Sequence, residues 1–302
     1  MRLSFHCSAC GKCCDSPPQM SLPELFRHQD TFIGSLALRQ VARPHAGARI
    51  GDGAEIHLVD TAQAAAFDVL ADELLWWSAD GQRCVALHAQ AIDYASRAQC
   101  PALREDGRCG VHAAGKPAMC EVVPLDPWAP DLLQGVVLSR SARRAPFADA
   151  GCIADTATGT HALLFADRRI TDTAHADAMV RLRTALASER RHWGDEVAAQ
   201  LGPHLMSAAP RTGIRTLSLV PALRIIGDAS SASRARCIDY IRAQRTLIAR
   251  QIDLAVARRQ SRDRAMTEEL RGHARAYGEL LAHWAASAPP RDTAPVDAYL
   301  GV

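Results

Sequence analysis

The sequence predicts a mainly α protein: an irregular, metal-organised, cysteine-rich α+β module comes first and a helical region follows. Three observations carry this. Cys7, Cys10, Cys13 and Cys14 crowd into the first fourteen residues, and Cys100, Cys109, Cys120 and Cys152 recur before residue 155. Beyond that point helical periodicity takes over and Cys237 is the one cysteine left. The expected division is therefore a cysteine-cluster metal-binding domain at 1–155 and a helical domain at 156–302.

The thiol run FHCSACGKCC places four cysteines within eight residues. That spacing is too tight for scattered core thiols and suits a short loop wrapped around one ion or cluster. Gly11 fits the same reading, because such a loop needs a residue that tolerates positive φ. Thiolates are soft and charged, so clustering them without a cation costs repulsion and desolvation, whereas a metal removes that cost and cross-links distant segments. A structural zinc site contributes on the order of 10 kcal/mol, comparable with the stability of a domain. An occupied site is thus expected to be needed for the module to fold.

Eight candidate thiolates exceed one four-coordinate zinc. Either two sites exist, or one site takes four and the others are buried or redox-active. All-sulfur ligation suits zinc ions and iron-sulfur clusters alike. The C-x2-C-x2-C opening, shared with the bacterial ferredoxin run, tilts the reading toward iron. Cys84 and Cys237 fall outside the pattern and are expected to be small buried apolar residues.

At 302 residues, with 48% hydrophobic and 23% charged residues, the chain has an ordinary globular composition. No apolar run approaches the roughly eighteen residues of a spanning helix, so no membrane is expected. The N-terminus has no apolar h-region or cleavage site, and ten cysteines in a chain this long fit thiolate-bound metal in a reducing cytoplasm better than a disulfide framework. Net charge is +2, with Lys12 and Lys116 the only lysines among 35 basic residues. That balance gives no general attraction for nucleic acid. Dinucleotide, P-loop and zincin signatures are absent.

Along the chain, SLPELFRHQDTFIGSLAL (21–38) reads as one helix, with Ser21 as cap, Pro23 in the first turn and Glu24 three residues on. EIHLV (55–59) reads as a short strand, and residues 61–77 as a helix ending in Trp76 and Trp77, both packing residues. CVALHAQAIDYA (84–95) is equally compatible with helix and strand, and LLQGVVL (132–138) reads as a strand. Residues 177–201 form an amphipathic helix with a break near Gly194. Ser233 to Ala288 is either one long helix or an antiparallel pair turning near 260–264. Its arginines alternate with acids and read as a solvated face.

Read together, C7-x2-C10-x2-C13-C14, CPALREDGRC (100–109), CGVH, KPAMC (116–120) and Cys152 in ADAGCIAD resemble the YkgJ-like CxxCxxCC cysteine cluster family, described as zinc- or iron-chelating domains. The resemblance covers about the first 150 residues and implies that Cys7, Cys10, Cys13, Cys14, Cys100, Cys109, Cys120 and Cys152 are metal ligands. His112 stands where the family has Tyr, and is either a further ligand or a filler of that space. Lys116 replaces the usual Arg, and residues 15–99 form an unusually long insert. His6 abuts the thiols; His57 and His88, each near Asp60 or Asp93, make a weaker iron-site idea; Glu105 and Asp106 read as turn residues.

The resemblance implies chelation and leaves enzymatic activity open. The expected function is a cytoplasmic protein holding an iron-sulfur cluster, zinc or iron, with its helical region available to a protein or peptide partner. A more distant similarity to flagellin lysine N-methylases implies the alternative, an S-adenosylmethionine-dependent protein lysine methyltransferase; an iron-dependent peptide-modifying enzyme is the other.

Overall fold

The computed structural model describes residues 1–51, 56–78, 80–155, 161–288 and 294–301. Helix accounts for about 50% and strand for 16%, the strands forming small antiparallel sheets, so the chain is mainly α with some β.

Strand β1 (Arg2–Phe5) opens the chain. Helix α1 (Leu22–Arg27) starts where expected: the Glu24 carboxylate accepts the Ser21 N–H at 2.8 Å while the Ser21 hydroxyl accepts the Glu24 N–H at 3.4 Å. It does not continue to Leu38. The chain leaves the helix at His28 and forms strand β2 (Ile33–Ala42). Ile33 to Leu38 are all buried, Ser35 included, so no exposed alternate residue marks a period of two.

Strands β3 (Arg49–Ile50) and β4 (His57–Leu58) pair antiparallel; Glu55, in the strand expected there, lies outside the described residues. Helix α2 (Thr61–Leu74) is held by an Asp60–Gln63 capping box. Trp76 and Trp77 do not end that helix: they form β5 (Trp76–Trp77), pairing with Val85 and Cys84 of strand β6 (Arg83–Ile92). Residues 84–92 are therefore strand.

Helix α3 (Ala118–Val122) is followed by a 3-10 turn (Asp131–Leu133) and helix α4 (Gln134–Ala142). The strand expected at 132–138 is thus helical. Buried Gln134 donates to the Asp126 and Ala129 carbonyls at 2.6 and 2.8 Å and accepts the Asp126 N–H at 3.1 Å. These bonds to the preceding loop override the strand preference of Val136 and Val137.

Helix α5 (Ala145–Ala148) precedes strands β7 (Ile153–Ala154), β8 (Ala162–Ala166) and β9 (Arg169–Ile170). Helix α6 (Thr173–Glu189) passes through a π-helical turn (Arg190–Gly194) into α7 (Asp195–Ser207), so the break near Gly194 is a widened turn, not a stop. Strand β10 (Arg215–Leu217) and helix α8 (Val220–Gly227) follow. Helix α9 (Ser231–Arg258) ends at Arg259 with φ 54°, and after a 3-10 turn (Ser261–Asp263) helix α10 (Arg264–Ala286) begins: the proline-free segment is a helix pair. Helix α11 (Ala294–Leu300) comes last.

These elements fall into two compact units, the first built from 1–15, 39–86 and 103–187, the second from 16–38, 87–102 and 188–302. Residues 1–155 contribute to both, as do residues 156–302. The first unit contains a four-stranded sheet of order β7-β1-β8-β9. Leu3, Phe67, Leu74, Leu138, Phe165 and Met179 belong to its apolar core, which Cys84 joins and the thiol run does not.

In the second unit Leu217, Thr216 and Arg215 of β10 pair with Leu36, Ala37 and Leu38 of β2. The segment before α1 runs beside β6, the Met20 N–H donating to Ala89 O at 3.3 Å and the Ala91 N–H to Pro18 O at 3.0 Å. Its interior is rich in large side chains, Trp193, Tyr240, Ile248, Leu270 and Tyr277 among them. Among the described residues, no helix is long and apolar enough to cross a membrane.

Candidate metal centre

The thiol run lies in the first unit, where strand register decides what it meets. Ser4 and Phe5 of β1 oppose Ala154 and Ile153 of β7. One residue further on, the His6 N–H donates to the Cys152 carbonyl at 2.9 Å. On the other edge Phe5 opposes Ala162 of β8, and the rings of His6 and His161 are 5.7 Å apart. Two cysteine groups separated by 138 residues in sequence are therefore neighbours because a strand pair ends there.

Past β1 the chain turns tightly, the Cys14 N–H donating to Gly11 O at 2.9 Å. Gly11 has φ +72°, and a Cβ there would stand 2.9 Å from Gly107 O and 3.0 Å from Leu103 Cδ1. The expected need for glycine is thus met twice, by the left-handed backbone and by the close approach of the 103–109 loop. Lys12 ties the run to the other side, its Nζ donating to Asp149 O at 2.8 Å.

The 103–109 loop is a closed turn. The Arg104 N–H donates to Arg108 O and the Gly107 N–H to Arg104 O, both at 2.9 Å, and Leu103 bridges to Cys109. Asp106 accepts the Arg108 N–H at 3.0 Å, a turn residue as expected. His112 is exposed and donates its N–H to Cys109 O at 3.4 Å. Cys120 stands in the first turn of α3.

Cys7, Cys10 and Cys13 are exposed, Cys14, Cys109 and Cys120 are half-buried, and Cys100 and Cys152 are buried. Cys100 belongs to the second unit, the other seven to the first. No disulfide joins any of the ten cysteines, all of which are described. Cys84 and Cys237 are fully buried, and burial raises both thiols, Cys84 to about 12, which keeps them protonated.

The run itself is tuned the other way. A hydrogen bond from the Cys14 side chain is the main cause that pulls Cys13 down to about 6, with Lys116 adding to it. Cys10 is lowered by hydrogen bonds from the Lys12 backbone and the Ser8 side chain. Cys152 is raised, first by burial and then by the negative charge of Cys10, Cys13 and Cys7. Cys152 thus feels the charge of the run thiols from another chain segment, and Cys13 favours the thiolate near neutrality.

The donor set is soft, partly deprotonated and suited to zinc, iron or an iron-sulfur cluster. Among the described residues, no three His, Cys, Asp or Glu side chains stand close enough together to hold an ion as placed. The thiols form a shared neighbourhood, not a closed ligand cage.

His57 and His88 have other work. His57 Nε2 bonds Gln63 Oε1 at 2.8 Å, while buried His88 places Nδ1 3.1 Å from Ala89 O. His161, whose Nε2 bonds Gly151 O at 3.0 Å, was not singled out by sequence. Only the register of β1 against β8 reveals it. No family model, curated protein or solved structure matches the chain.

Proposed function

We propose that the chain is a metal-binding cysteine-cluster protein, holding zinc, iron or an iron-sulfur cluster through thiolates of the first unit. The helices beyond residue 155 then serve as the face for a protein or peptide partner. The observation that supports the reading is the meeting of Cys7, Cys10 and Cys13 with Cys152, fixed by the His6–Cys152 and Lys12–Asp149 hydrogen bonds. Leaving several thiolates together without a cation would cost mutual repulsion and desolvation.

Cys7, Cys10, Cys13 and Cys152 are the first choice as ligands; Cys14 lies in the run itself, and Cys109 closes the 103–109 loop that meets Gly11. The metal supplies charge neutralisation and a cross-link between the chain start and the 149–152 turn. The protein's own part is to lower Cys10 and Cys13 toward the thiolate and to hold the run's turn at Gly11 against the 103–109 loop.

Anaerobic purification followed by metal analysis and visible absorbance tests this. The expected result is stoichiometric iron or zinc, lost in C10S and C13S and kept in C84A and C237A. A colourless, metal-free and fully folded wild-type protein ends the reading.

A further inference from the structure

We propose that helix α11 is a proton-controlled clasp, closed on the Glu189 carboxyl while that group keeps its proton and released when the proton leaves. The proposal is independent of the metal reading and uses residues of the second unit alone.

The contacts that hold α11 (Ala294–Leu300) converge on few groups. The Tyr299 hydroxyl donates to Glu189 Oε1 at 3.0 Å, and its ring stacks on His192 with centroids 4.4 Å apart and planes 13° apart. Asp297 accepts from the Ser230 hydroxyl, and from the Ser233 hydroxyl at 2.6 Å, where α9 begins. Leu300 adds one buried apolar side chain. Seven residues make about two helical turns, too few to persist in water without such contacts.

Glu189 is the point at which closure depends on a proton. The Leu22 N–H, at 2.6 Å, and Tyr299 both donate to Oε1. Oε2 is buried and makes no hydrogen bond among the described residues, and Trp193 Nε1, buried as well, makes none either. A neutral carboxyl tolerates that arrangement, whereas a carboxylate would leave part of its charge on an oxygen without a donor and shielded from water. Burial accordingly pushes the group up to about 8. Releasing Tyr299 is the least costly way to hydrate Oε2, because Leu22 and Trp193, 0% and 1% exposed, are packed into the interior.

The other groups facing this spot do not supply the switch. Glu24 of α1 is a like charge that makes ionisation of Glu189 harder. Burial raises Cys237 of α9 and Tyr299 itself, so both stay protonated while Glu189 titrates. Asp297 is lowered by its serine hydrogen bonds and stays charged. Arg190 pairs with Asp195 at 3.2 Å. His192, whose Nδ1 bonds Ser188 O at 2.8 Å, is the group the test must separate from Glu189.

Hydrogen exchange of the full chain between pH 5 and 9, read by mass spectrometry and corrected for the intrinsic pH dependence of amide exchange, tests the clasp. Protection of 295–300 is expected to fall by about tenfold per pH unit between about 5 and 8 and to level off above, the interval between the ordinary and the folded pKa of Glu189. Dilute urea should leave that exchange unchanged, and residues 240–250 of α9 should stay better protected. E189Q is expected to keep α11 closed at every pH, and Y299F to loosen it by about two- to tenfold at pH 5. H192F, which keeps a ring against Tyr299, should retain the pH dependence; it and the wild-type profile carry the test should E189Q not fold. Protection of α11 that is flat with pH, a pH response that survives E189Q or vanishes in H192F, or exchange of α11 only in step with α9 overturns the proposal.

Discussion

Glu189 shows what one residue does when its proton and its surroundings disagree. It sits at the end of α6, 3% exposed, where the Leu22 N–H donates to its carboxyl at 2.6 Å and the Tyr299 hydroxyl at 3.0 Å. Burial outweighs both bonds and pushes its pKa up to about 8. The folded protein therefore keeps a proton that the unfolded chain gives up near the usual carboxylate pKa of about 4.5. Stability from this group is intact below that value, falls as pH rises, and reaches its full loss above 8. E189Q keeps the accepting oxygen and removes the ionisation. It is expected to stabilise by a few kcal/mol at pH 9 and to change little at pH 5, as read from thermal unfolding across that range. An equal effect at both pH values would show that ionisation is not the cause. Residue-scale chemistry of this kind was not legible beforehand. Glu189 stands in SERRHW like any surface acid, and its burial follows from which elements cover it. The thiol run was legible because four sulfurs in eight residues constrain one another locally.

At the scale of elements, the sequence spoke clearly where a local device sets an end and poorly where packing sets the type. The Ser21–Glu24 box is local and stands where the residues placed it, whereas the segment 233–288 left one long helix and a pair turning near 260–264 both open, and the structure takes the pair. β2 and α4 were misassigned because their apolar runs carry no decisive period; neighbours settle the matter. Gly34 shows how tight that settlement is. A Cβ there would lie 2.2 Å from Tyr240 Oη, 2.5 Å from Leu219 Cδ1 and 3.0 Å from Leu25 Cδ1, so β2 can occupy its place in the second unit only with no side chain at that position. G34A is expected to cost about 1–3 kcal/mol or more, since three side chains would have to move. Gly272 on α10 is the control: nothing lies within 4 Å of its Cβ position, and G272A should stabilise by about 0.5–1 kcal/mol through helix propensity. Denaturant midpoints of the two variants should move in opposite directions. A shared sign would mean that helix propensity or unfolded-state entropy, not packing at β2, dominates both.

At the scale of the whole molecule, the question is how far a metal would organise the fold. The sequence led to the expectation that the cysteine module needs its metal in order to fold. The first unit, however, has an apolar core in which Phe67, Leu74, Leu75, Leu138, Leu164 and Phe165 are each 3% exposed or less, and to which none of Cys7, Cys10, Cys13 or Cys14 belongs. Each large side chain so buried contributes roughly 1.5–3 kcal/mol, so this core stands comparison with a bound metal. The thiol run hangs from the end of β1 and is held by a few hydrogen bonds at its own turn and at 149–152. Metal removal should therefore act locally. Chelation under reducing conditions is expected to lower the thermal midpoint by several degrees and to speed amide exchange in residues 6–15, 103–120 and 149–152. Amides of α2 and α6 should keep their protection, because the core beneath them loses nothing. Hydrogen exchange read by mass spectrometry distinguishes the two cases. Collapse of protection throughout 39–86 and 103–187 on chelation would mean that the metal, and not the apolar core, is what the first unit folds around.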